Sequence, residues 1–203
     1  METEKVVVDA DFFRRLTDGE SNTVLFEKIL KTLGYEPVMH KYVAKKELKD
    51  NLLLDNLIRN NKIEILDERK CISDEDKSDY EEYFRIVYKK LNLFDLTETA
   101  DVYEYGYNEE ASGESLGEIR SLYMARYLGY SVFLSDDSDS GIVAEYLRSN
   151  RRDIRVYGVV DALLKCKEVG TTICYRDIKN LFYRLEKIKC RRIDELRKAY
   201  PDS

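Results

Sequence analysis

Hydrophobic positions along the chain follow two rhythms: short solid apolar runs, and longer stretches of helical period. Lys5 to Asp9 is a β-branched run ending in an acid, the pattern of a buried parallel strand. Leu25 to Leu33 has helical spacing and stops at Gly34. Val43 to Ile58 is mostly helical in pattern, and Ile63-Glu-Ile-Leu66 is a second strand candidate. A helix over Asp74 to Leu91 is indicated by Ser73 as a cap, acids in its first turn and Lys89 and Lys90 in its last. Tyr103, Tyr105 and Tyr107 alternate, which suits either a strand or an ordered loop. The spacing then predicts a helix over Ser115 to Leu128, a strand over Val132 to Ser135, a helix over 141–148 and a strand over Ile154 to Tyr157. Two amphipathic helices follow, Val159 to Lys167 and Tyr175 to Ile188.

Strands alternating with helices imply crossover connections, hence an α/β, three-layer α/β/α fold on a mainly parallel central sheet of four to five strands. With two prolines, nine glycines and no repeat in 203 residues, the sequence is expected to form one domain over residues 1–203, with 158–203 a helical extension. No window approaches the ~18 apolar residues of a membrane span, and the N-terminus lacks the form of a signal peptide. The four cysteines (Cys71, Cys166, Cys174, Cys190) have no ligand spacing and read as reduced thiols of a cytoplasmic protein. With His40 the single histidine, any chemistry must rest mainly on carboxylates.

Charge changes the picture along the chain. Residues 148–200 hold 15 Lys/Arg against 7 Asp/Glu, a net of +8, whereas residues 1–147 hold 19 against 32, a net of −13. Such a chain either binds a cation at one part and a polyanion at the other, or merely segregates its surface charge. Ligands of parallel sheets lie at the carboxyl ends of the strands. That rule selects Asp9 after the first strand and Asp136, Asp137 and Asp139 after the strand at 132–135. Asp9 suits a hard cation or the cap of the following helix, and the later acids suit a cation or a favourable first helical turn. Glu118 near the start of the Ser115 helix and Glu47, among Lys45, Lys46 and Lys49, are surface acids unless they reach the same rim.

Taken in order, Val-Val-Val-Asp9-Ala-Asp-Phe-Phe, Lys46-Glu47-Leu48, Leu116-Gly-Glu118-Ile and Leu134-Ser-Asp-Asp137-Ser-Asp139 resemble the acidic motifs of PIN-domain nucleases. The resemblance extends to Val156-Tyr-Gly-Val-Val-Asp-Ala-Leu-Leu-Lys165 and spans most of the chain. It implies a metal-dependent endoribonuclease, often the toxin of a toxin–antitoxin pair, using Mg²⁺ or Mn²⁺. It further implies an RNA substrate, an antitoxin-like protein inhibitor and a homodimer. Asp9, Glu47, Glu118 and Asp137 match the catalytic acids; Asp9, Glu118, Asp136, Asp137 and Asp139 would serve the metal. The double Asp leaves the fourth acid at 136 or 137, and the acidic stretch 67–82 has no place in the pattern. Arg148, Arg151, Arg152 and Arg155 are candidates for RNA phosphates, or a solvated turn. Tyr103, Tyr105 and Tyr107 either stack on bases or serve the core.

Two other readings compete. Asp9-Ala-Asp11 and Asp136-Asp137 also resemble the acidic pairs of haloacid-dehalogenase-like phosphatases, although Phe-Phe follows Asp11 where Thr or Val is usual. A PIN-like domain without catalysis, binding nucleic acid or protein, is the non-enzymatic alternative.

Overall fold

The computed structural model describes residues 3–19, 23–90, 96–97, 99–107, 115–137, 143, 146 and 154–202. Five strands, β1 (Glu4–Val8), β2 (Tyr35–His40), β3 (Glu64–Leu66), β4 (Val132–Leu134) and β5 (Arg155–Tyr157), form one sheet in the order β3-β2-β1-β4-β5. Every neighbouring pair is parallel. Val6, Val7 and Val8 have no exposed surface, because the central strand is covered on both faces. Val6 and Val8 point into one core and Val7 into the other, following the two-residue alternation of a strand.

The first core takes α1 (Ala10–Thr17), α2 (Val24–Leu33), α3 (Leu52–Arg59), α7 (Val159–Val169), α8 (Tyr175–Lys187) and α9 (Ile193–Ala199). The C-terminal helices thus share a core with α1 and α2: Tyr200 donates a 2.8 Å hydrogen bond to the Leu163 carbonyl, and both residues are buried there. The second core is aromatic and takes the short α4 (Glu68–Cys71), α5 (Lys77–Lys90), α6 (Leu116–Tyr127) and the turns at 102–107. The three layers expected from the alternating pattern are present.

Two details differ from the sequence expectation, and two more bear on it. Strand β2 escapes the pattern because Pro37 sits within it. Pro37 pairs with Val6 of β1, but the β3 ladder begins one residue later at Val38, so the missing donor costs no bond to β3. The stretch 43–58 is two pieces, a π-helical turn Val43–Glu47 and then α3, whose start is capped by the Asn51 side chain accepting from the Leu53 and Leu54 amides. Tyr103, Tyr105 and Tyr107 lie in turns rather than a strand. Of the helix expected over 141–148, only Val143 and Tyr146 are described, both helical.

Candidate functional site

In the order β3-β2-β1-β4-β5 the chain winds outward in one direction from β1 and then in the other, so a crevice opens where the carboxyl ends of β1 and β4 diverge. Asp9 ends β1, and Ser135 to Asp137 follow β4. A cleft of about 460 Å³ at this point is lined by Asp9, Asp11, Arg14, Glu47, Ser115, Glu118 and Asp137. Four segments remote in sequence therefore bring Asp9, Glu47, Glu118 and Asp137 to one hollow.

Each side chain is held by a local device. Asp9 occupies the position before α1, yet its side chain makes no capping hydrogen bond. Instead Oδ2 accepts a 3.2 Å bond from the buried Ser135 hydroxyl, whose oxygen in turn accepts the Asp137 amide. Glu118 lies in the first turn of α6 and is only 7% exposed. Glu47 ends the π-helical turn, where the Leu48 amide reaches back five residues to the Val43 carbonyl. Its carboxylate rests against Gly117: a methyl group there would stand 2.1 Å from Glu47 Oε1. Arg14 donates to the Glu47 carbonyl and lies 3.3 Å from Asp11, which ties α1 to the π-helical turn.

The electrostatics are those of crowded acids. Burial pushes the Glu47 carboxyl up to about 8, and the Asp9 charge adds to the shift while Arg14 opposes it. Glu118 is raised by burial first, then by Asp9 and Glu47. Asp9 is also raised by burial, although the Ala10 amide and the Ser135 hydroxyl restrain it. Asp9 Oδ1, Glu47 Oε1 and Glu118 Oε2 are buried without a hydrogen-bond partner among the described residues. Orphaned oxygens of this kind are costly and suit a hard cation that prefers oxygen ligands. Their chemistry fits Mg²⁺ or Mn²⁺. Among the described residues, however, no three His, Cys, Asp or Glu side chains converge into a finished set of metal ligands.

The neighbouring acid divides the double Asp. Asp136 turns away from the cleft: Oδ1 accepts the Val159 amide at the start of α7, and Oδ2 accepts from Arg15 at 2.8 Å. As a metal ligand Asp136 is therefore corrected, since both of its oxygens already join β4 to α7 and α1. Arg155 is not brought to the cleft either. It begins β5 at the amino end of the sheet, where it bonds the Ser131 hydroxyl at 3.0 Å and faces Glu4 at 3.5 Å. Asp139, Arg148, Arg151 and Arg152 lie outside the described residues.

Sequence reasoning missed Arg14, Ser135 and Gly117. Arg14 stands one helical turn after Asp11, and Ser135 directly precedes the acidic pair, so both spacings carried a usable signal. It also missed Glu68 within the acidic stretch 67–82. Glu68 is 1% exposed and pairs with the fully buried Arg120 and, at 2.9 Å, with His40. Burial alone would raise its pKa, but His40 and Arg120 hold it at about 2. His40 Nδ1 accepts the Tyr42 amide, so the ring proton resides on Nε2, facing Glu68. Arg120 also donates to the Val102 and Tyr105 carbonyls at 2.6 and 2.9 Å, and thereby fastens the 102–107 turns to α6.

No family model matches this chain, and neither a curated protein nor a solved structure is significantly similar to it. Among the described residues, no helix is long and apolar enough to cross a membrane.

Proposed function

We propose that the chain is a metal-dependent endoribonuclease of the PIN kind, with Asp9, Glu47, Glu118 and Asp137 as its acids. The observation that carries this reading is the meeting of four carboxylates from four separate segments in one cleft, three of them with a buried, unpartnered oxygen. Such a set repels itself and gains from a divalent cation. Asp9, Glu118 and Asp137 would hold Mg²⁺ or Mn²⁺, which when bound lowers the pKa of water and offsets charge on the phosphodiester. Ser135 fixes the orientation of Asp9. Glu47, with a carboxyl pushed up to about 8, can exchange a proton near neutral pH. Among the described residues Arg14 is the positive side chain of the cleft, and it can face a substrate phosphate. The phosphatase reading loses support, because its second acid, Asp11, is half-exposed and paired with Arg14. RNA as substrate, an antitoxin-like inhibitor, a homodimer and a cytoplasmic setting accompany the proposal through the resemblance in sequence.

The test is cleavage of single-stranded RNA by the purified chain with Mg²⁺, Mn²⁺ or EDTA, beside an Asp9→Asn, Asp137→Asn variant. Cleavage that requires metal and disappears in the variant is expected. Neither cleavage nor divalent binding, measured by calorimetry, would sink the catalytic reading and leave a binding module.

A further inference from the structure

The π-helical turn that presents Glu47 to the carboxylate cleft also presents lysines to a second hollow. This pocket, of about 350 Å³, is lined by Lys41, Lys45, Lys46, Lys49, Tyr103 and Tyr107, together with Asp67, Glu68, Arg69 and Glu104. Its charges are unevenly matched. Lys41 is 3.0 Å from Asp67, Arg69 is 2.5 Å from Glu104, and Glu68 is neutralised from behind by Arg120. Among the described residues, Lys45, Lys46 and Lys49 have no carboxylate partner, so three positive charges remain uncompensated.

A second, independent observation concerns the two tyrosines. Tyr105, between them, donates or accepts a 2.6 Å hydroxyl bond with Tyr88 and belongs to the core. The Tyr103 and Tyr107 hydroxyls, by contrast, are buried and have no hydrogen-bond partner among the described residues, and Tyr103 is only 8% exposed. A buried phenol hydroxyl left unsatisfied is unfavourable unless a ligand completes it. Both rings are fixed: Arg69 lies 5.7 Å from the Tyr103 centroid and Lys41 5.7 Å from the Tyr107 centroid. Unmatched ammonium groups around a hollow walled by these two rings form a receptor for an anion with several acceptor oxygens, and a phosphate has that chemistry.

We infer that this pocket binds a backbone phosphate of the RNA strand, next to the bond over the carboxylate cleft. The inference rests on the nuclease reading for the identity of the strand, but the pocket and its donors stand apart from the acids. Because Lys45, Lys46 and Glu47 are consecutive on one turn, engaging a phosphate on the lysine side fixes the turn that carries Glu47. The same turn would then couple strand binding to the geometry of the acids.

The experiment measures anisotropy of a labelled single-stranded oligoribonucleotide on the full chain, in EDTA, where the proposed cleavage is off. Lys45→Gln, Lys46→Gln, Lys49→Gln together should weaken binding about tenfold or more, and should shallow the logarithmic salt dependence by about 2 between about 50 and 200 mM. Tyr103→Phe and Tyr107→Phe should each weaken binding severalfold while leaving thermal stability equal or higher, since the hydroxyl has no partner among the described residues. A merely structural tyrosine would not separate the two readouts. Inorganic phosphate should compete only at far higher concentration than unlabelled strand; equal competition would assign the pocket to free phosphate and overturn the strand. Absence of binding by the native sequence, or binding unchanged by the lysine substitutions, would overturn the inference even if RNA is cut. Lysine-dependent binding without metal-dependent cleavage would uphold it and sink the nuclease reading instead.

Discussion

Replacing Glu47 by glutamine should stabilise the metal-free protein, and the gain should grow with pH. Burial and the nearby Asp9 hold the folded carboxyl at about 8, against 4.5 for an unhindered glutamate. The folded chain therefore keeps a proton that the unfolded chain releases, so stability falls as pH rises from about 4.5 to about 8. At pH 7 the gap between the unhindered value and the pH corresponds to about 3 kcal/mol, at about 1.4 kcal/mol per unit. Part of the side chain still meets solvent, which screens the charge and brings the expected effect to about 1–3 kcal/mol. For a chain of this size that is a shift in Tm of roughly 2–12 °C. Glutamine keeps the shape and cannot ionise, so it should remove the share of the slope that Glu47 contributes and leave the shares of Asp9 and Glu118. The assay is thermal unfolding of both proteins in EDTA near pH 5 and near pH 8. Nearly equal stability near pH 5 and a more stable variant near pH 8 are expected, with Mg²⁺ rescuing the native sequence more than the variant. Parallel pH profiles, or a variant less stable near pH 8, would refute the account of strained acids.

Three further outcomes are expected. Gly117→Ala should leave Tm equal or higher, since alanine favours a helix by up to about 1 kcal/mol, while its methyl displaces the Glu47 carboxylate; RNA cleavage and Tm measured together should therefore diverge. Arg120→Met should cost about 3–5 kcal/mol in urea unfolding by stranding the buried Glu68, and a loss below about 1 kcal/mol would contradict the network. Asp136→Ala should lower stability by about 1 kcal/mol through loss of the contact at the start of α7, whereas Asp137→Ala should abolish cleavage with little change in stability.

The residues legible from sequence are those whose local pattern and tertiary role agree. The three-valine run announced β1 because a strand covered on both faces needs no alternation. Asp9 and the acids after Leu134 were placed by the rule for parallel strand ends, and three of the four catalytic candidates needed only that rule or a helical first turn. Position 136 versus 137 was not legible, because the choice depends on Val159 and Arg15 arriving from elsewhere. Strand β2 was hidden by Pro37, whose exemption depends on where the β3 ladder begins. Buried Arg120 and Glu68 carry no local sign of burial, since each is tolerated inside only through the other. That the lysines around Glu47 line a different hollow was not legible either, because Lys46 and Glu47 part only through the fold of their turn.

The central pairing of β1 with β4 joins Val7 to Phe133 across most of the first two thirds of the chain. Asp9 and Glu47 precede that span's midpoint, whereas Glu118 and Asp137 come near its end. A chain leaving the ribosome thus carries its acids in two unjoined pairs until β4 inserts beside β1, and closing so long a loop is a late event in folding. The assembled hollow is in this sense a timer: whatever chemistry the four acids perform cannot begin on a half-made polypeptide.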